Sequence, residues 1–198
     1  MGVLMYRKRD LQAAREYLEK AVKRFVSRNP NPIDMECYYQ LGLVLKQLGL
    51  DSEALSALKR AAWGYAWKSA ALQQAAEIDC RLGDLVTAAE DLEASLETNA
   101  HSLRGKAQLS AIRLRQGRTE EARESARAML AYDPLDSASL FTLYLCGEED
   151  AGKELVSILG SKTGAYLDLA ETYLSAGLWA EGRKALELCP NHTALSRF

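Results

Sequence analysis

The sequence predicts an all-α protein, a stack of about five to six helical hairpins, and three observations predict it. Gly49, Gly83 and Gly117 are 34 residues apart, and Ala54, Ala88 and Ala122 repeat the same interval five places later. Before each glycine, apolar residues recur at i, i+3, i+4 and i+7, the spacing of one helix face. The 198 residues are 48% hydrophobic with only 4 Pro, and are rich in Ala and Leu, a mixture that favours helix along most of the chain.

The elements follow from those marks. "CYYQLGLVLKQLG", "ALQQAAEIDCRLG" and "GKAQLSAIRLRQG" each read as an amphipathic helix that closes near its glycine. Glycine takes the left-handed conformation that ends a helix without a Cβ penalty. A second helix starts one or two residues on, with Asp51, Asp84 and Thr119 as expected N-caps. Ala54, Ala88 and Ala122 lie where the two arms cross, and a small side chain there lets them close. Leu41-Gly42, Ala75-Ala76 and Leu109-Ser110 mark a matching close approach on the first helices.

Around this centre the copies degrade. "LQAAREYLEKAVKRF" reads as a second helix whose first helix would begin before Met1. "SASLFTLYLCG" and "DAGKELVSILG" form a fifth pair, and "YLDLAETYLSAGLWAEGRKALELC" a sixth with its corner at Gly177. Ser110 to Ala170 spans 60 residues, 34 plus 26, so the fifth copy is about eight short and a local change of curvature is expected. The expected organisation is one domain over 1–198, with units near 1–28, 35–68, 69–102, 103–136, 137–162 and 163–196. Such hairpins bury their apolar stripes only by stacking, which gives an extended right-handed superhelix. The first copy starts inside a repeat, so an uncovered apolar edge and a boundary within a longer protein are expected.

The 34-residue period and the small-residue positions resemble the tetratricopeptide repeat, over Met35 to Pro134 above all. The family's usual Trp is replaced by Tyr38, Leu72 and Lys106. The resemblance implies that the first helices line a concave groove whose solvent-facing positions meet a ligand. Those positions are Tyr39, Leu43 and Lys46, then Gln73, Glu77 and Arg81, then Ala107, Ala111 and Arg115. The Lys/Asn clamp of chaperone-tail receptors is missing at these phases. "WGYAWKSAALQQAAEIDCRLGD", with "SLETNAHSLRGKA" and "DPLDSASLF", also looks like the repeat tail of certain large bacterial proteins that carry an upstream β-sandwich domain related to sugar-processing folds. That implies bacterial origin and a place beside carbohydrate metabolism.

The three aromatics of "WGYAWKSA" admit two readings. In the favoured one, Trp63 and Trp67 fill the gap between successive hairpins while Tyr65 faces solvent. In the other, Trp63, Tyr65 and Trp67 form an exposed platform for a sugar ring or a partner peptide.

Chemistry is sparse. His101 and His192 fall in expected loops, no phosphate-binding, metalloprotease or nucleophile-elbow motif occurs, and paired acids sit at helix starts. Cys37, Cys80, Cys146 and Cys189 are scattered singly and read as reduced thiols. No catalytic residue, cofactor or metal is expected. A net charge of −2 with banded sign argues against nucleic acid, and no apolar run reaches membrane-spanning length. The expected location is cytoplasmic. The function expected is a protein–protein interaction scaffold for a peptide ligand or an upstream domain of the same chain. The alternative is a non-catalytic accessory domain of a carbohydrate-active protein, and a homodimer through the uncovered N-terminal edge is compatible with either.

Overall fold

The structure, a computed structural model, describes residues 1–28 and 34–190; the expectation for His192 lies outside them. Twelve helices and no strand occur among the described residues. They pair as α1 (Gly2–Arg7) with α2 (Leu11–Arg28), α3 (Glu36–Gln47) with α4 (Asp51–Ala61), α5 (Tyr65–Leu82) with α6 (Leu85–Thr98), α7 (Leu103–Arg115) with α8 (Thr119–Tyr132), α9 (Ser137–Leu145) with α10 (Glu149–Leu159), and α11 (Thr163–Leu174) with α12 (Trp179–Glu187).

All six corners use one device. The residue at the corner is left-handed, with φ between 64° and 93°, at Arg9, Gly49, Gly83, Gly117, Gly147 and Gly177. The next N–H donates back five residues, as in Leu50 to Leu45 (3.0 Å), Asp84 to Asp79 (2.9 Å) and Leu178 to Tyr173 (3.0 Å). This is the Schellman closure, which satisfies carbonyls that a helix end leaves open. Five residues after each corner stands Ala14, Ala54, Ala88, Ala122, Gly152 or Gly182. Every one of these is buried. The interval read in three hairpins therefore runs through all six.

Two expectations are corrected here. A first helix does exist within the chain: α1 has six residues, and its corner is the non-glycine Arg9. Among the three expected N-caps only Asp84 acts as one, accepting from the Thr87 N–H at 3.1 Å. Asp51 and Thr119 lie one position inside their helices, because the Schellman turn makes the residue right after the glycine the N-cap and they come two after it.

Arg9 carries a Cβ in a conformation that costs an L-residue about 1–2 kcal/mol, partly offset in glycine by chain entropy. Arg9→Gly is therefore expected to stabilise the protein by about 0.5–1 kcal/mol, read as a raised urea midpoint.

Two apolar clusters meet along α5. Ala71, Ala75 and Ile78 pack towards α2, α3 and α4, whereas Ala76 and Cys80 join the cluster that continues to α12. Close approach is visible at Gly42, where a Cβ would lie 2.6 Å from Leu58 Cγ. The regular stack of second helix on next first helix holds for α2–α3, α4–α5, α6–α7 and α8–α9. It breaks after α10. Instead of resting on α10, α11 lies across α7, and the Phe141 and Tyr173 rings meet at 5.3 Å between α9 and α11. The short fifth copy thus turns the last hairpin inward, onto the first helices of earlier repeats.

Candidate partner-binding groove

The inner face is built by α3, α5, α7 and the inturned α11, and its halves differ. On the α3–α5 side, Tyr39 stacks on Trp67 with ring centroids 4.8 Å apart at 27°. Both side chains are half-buried, as is Leu43 one turn along from Tyr39. Gln73 accepts from the Ser102 hydroxyl at 3.2 Å. Offset aromatic pairs contribute about 0.5–1.5 kcal/mol beyond their burial. Trp67→Ala is accordingly expected to lower stability by at least about 1 kcal/mol in thermal melts.

On the α5–α7 side the floor is polar and covered. Glu77, expected to face solvent, is 2% exposed. One of its oxygens pairs with Lys46; the other accepts from Arg104 Nε at 3.1 Å and Gln108 Nε2 at 3.0 Å. Burial pushes this carboxyl up, but Lys46, Arg104 and Gln108 together outweigh it and hold the group below the usual carboxylate range. Burial likewise pulls the Lys46 ammonium down, against the attraction of Glu77.

The cover is the last hairpin. Arg104 forks onto Glu171 at 2.8 and 3.2 Å, Gln108 Nε2 donates to the Thr172 carbonyl at 2.8 Å, and Arg115 grips Glu181 at 2.9 and 2.6 Å. Ala107 and Ala111, expected on the open floor, are 4% and 1% exposed, and Ala107 faces α8 and α9 across a small cavity. Arg81 pairs with Asp51 at 2.5 Å, and the Gly177 corner packs on its backbone so closely that a Cβ would sit 3.1 Å from Arg81 Cα. The structure thus brings Lys46 and Glu77 into one network, sets Tyr39 against Trp67, and leaves Arg81 and Arg115 in separate ion pairs.

The sequence reading did not select Arg104, Gln108, Glu171 and Glu181. Their contacts join residues 64 to 67 apart and skip a repeat, so neighbour-to-neighbour periodicity carries no signal for them. The deficit of 26 against 34 residues is the one sequence mark of this crossing.

The three aromatics of "WGYAWKSA" separate. Trp67 packs as the favoured reading has it, and Tyr65 faces solvent at 82% exposure. Trp63 does not fill the junction: it is 71% exposed, with the Arg60 guanidinium 4.2 Å from its ring centroid. It follows the last turn of α4, at the rim of an open groove that it lines with Glu19 and Val26 of α2 and Tyr38 of α3.

Chemistry remains thin around this groove. Among the described residues no group of three or more His, Cys, Asp or Glu is arranged to hold a metal ion. Burial pushes the Cys80 thiol up to about 11, away from the reactive thiolate. No described helix is long and apolar enough to cross a membrane.

Solved structures place this geometry. A tetratricopeptide repeat protein from Parabacteroides merdae superposes with a TM-score of 0.69 at 19% identity, over 94% of this chain and 75% of that one. The fold is a tetratricopeptide-type solenoid. MamA from Desulfovibrio magneticus RS-1 follows at 0.56 and 18% identity, over 80% and 96% of the two chains. The P58(IPK) tetratricopeptide domain gives 0.50 and 18%, over 99% and 60%. No protein-family model matches the sequence, and no curated protein does. The likeness lies in the fold.

Proposed function

We propose that this solenoid is a non-catalytic protein-interaction scaffold, holding a peptide or a neighbouring domain against the α3–α5 half of its inner face. The observation that carries the reading is the Tyr39–Trp67 stack beside Leu43: large rings on a concave surface, still half accessible, where the α7 half is already filled. Interaction hot spots favour such rigid aromatic anchors. Groove positions Tyr39, Leu43 and Gln73 are assigned to the ligand, whereas Lys46, Glu77, Arg81 and Arg115 shape the floor through internal pairs. A soluble cytoplasmic setting suits this role.

The test is capture from a bacterial lysate with a photo-crosslinking residue at Leu43. A crosslinked protein lost with Trp67→Ala but retained with Trp63→Ala is the expected result. Equal capture by all three chains, or none, overturns the groove assignment.

A second reading has its own observation. Trp63 and Tyr65, two residues apart at a hairpin junction, are both exposed, which suits an accessory domain of a carbohydrate-active protein that stacks on glycan. Calorimetric titration with oligosaccharides decides it: heat lost with Trp63→Ala supports sugar contact, and no heat from any glycan removes it.

A further inference from the structure

Resting on the scaffold reading, we propose that the α11–α12 hairpin is a detachable occupant of the inner groove. It covers a basic site on α3 and α7 that takes an acidic amphipathic helix from a partner. In a repeat stack each unit is held by the interfaces it shares with its neighbours. The last hairpin lacks the usual one: α11 and α10 barely touch, and its contact with α7 is less extensive than any joint between the earlier hairpins.

What replaces the missing interface is an apolar seam, with Leu169, Ala170 and Tyr173 buried in the shared core, flanked by a polar network. Arg104 holds Glu171, Arg115 holds Glu181, and Gln108 holds the Thr172 carbonyl. Gln108 Oε1 is buried there with no hydrogen-bond partner, in a side chain only 1% exposed. A buried unpaired oxygen disfavours the docked state and offers an acceptor to an incoming donor. Sub-global opening draws on regions with such weak local interfaces.

Once the hairpin leaves, Lys46, Arg104 and Arg115 face the single carboxylate Glu77, a surplus of two positive charges. On α7 between Arg104 and Arg115 lies Ala111, small enough for a helix backbone to come close. The hairpin shows what fits: carboxylates from two helices for the arginine forks, with Ala170 and Tyr173 on the face between. A partner must also outcompete a tethered rival, whose effective concentration is about millimolar.

Two measurements test the proposal without any cellular partner, so they can fail or succeed apart from the Leu43 crosslinking. In hydrogen exchange on the unmodified chain, the amides of α11 and α12 are expected to exchange as one unit ahead of α5 to α8. Exchange only together with those helices overturns the proposal. In the second, the probe is a fluorescent synthetic peptide of residues 163–187. The full chain carrying Glu171→Lys and Glu181→Lys is expected to bind it at least about tenfold more tightly than the unmodified chain. Adding Arg104→Glu and Arg115→Glu restores the internal pairs with reversed sign and is expected to abolish the gain. A folded double variant with unchanged affinity overturns the proposal. So does one that loses helicity throughout, because a detachable hairpin leaves the other helices intact.

Discussion

Glu77→Ala is expected to destabilise the protein by about 3–5 kcal/mol, the cost typical of removing one member of a buried ion pair. The effect is large because the carboxylate serves four donors, Lys46, Arg104, Gln108 and, at 3.4 Å, the Ser175 hydroxyl. With it gone, the Lys46 ammonium, whose side chain is 13% exposed, and the Gln108 amide lose their shared acceptor. Arg104 fares better, since it keeps Glu171 at a more exposed position. Removing the carboxylate therefore leaves the part-buried Lys46 charge with no counter-ion and only the neutral Gln74 oxygen at 2.9 Å, which costs more than the pair was worth in place. Glu77→Gln, which keeps an acceptor oxygen without the charge, is expected to fall between alanine and the unmodified chain.

The same residue sets an acid limb. Its carboxyl titrates below the ordinary value of about 4.3, so the folded state holds the ionised form more firmly than the unfolded chain does. That stability is fully present above the unfolded value and is lost as pH falls through the lower folded one. Thermal melts between pH 7 and pH 3 should show a drop that begins below about pH 4.3 and is blunted in Glu77→Gln. An identical acid limb in both chains would show that other carboxylates govern it.

How much was legible in the sequence depends on the range of the contact. Corners, helix faces and the burial of Ala54, Ala88 and Ala122 all follow from residues within one hairpin or its neighbour, and the glycine-to-alanine interval encodes them directly. Arg9 escaped because the corner signal there is a conformation without its usual residue type. Trp63 escaped because hydrophobicity argues for burial only where a neighbour closes over the side chain, and here it sits at the rim of an open groove. Glu77, expected to face solvent, is instead covered by a segment that skips a repeat. Periodicity describes neighbours in a stack. It is silent about a unit that leaves the stack.

Ala88→Leu tests the principle on which the whole architecture rests. Ala88 is fully buried on α6, five residues after the Gly83 corner, where the returning helix meets α5 most closely. The tightness of this position is measurable in its counterparts. A Cβ at Gly152 would come within 2.6 Å of the Tyr144 ring, and one at Gly182 within 2.5 Å of Leu174. Three further carbons at Ala88 have no room unless the arms splay, and splaying also lifts Leu92 from the core one turn on. The expected loss is about 1–3 kcal/mol, seen as a lower urea midpoint by circular dichroism. Val86→Leu is the control: on the same helix, 63% exposed, it adds bulk where solvent yields and should be nearly neutral. Equal stability of the two variants would mean that the small residue after each corner does not set the distance between the arms, and that the 34-residue interval encodes something other than their packing.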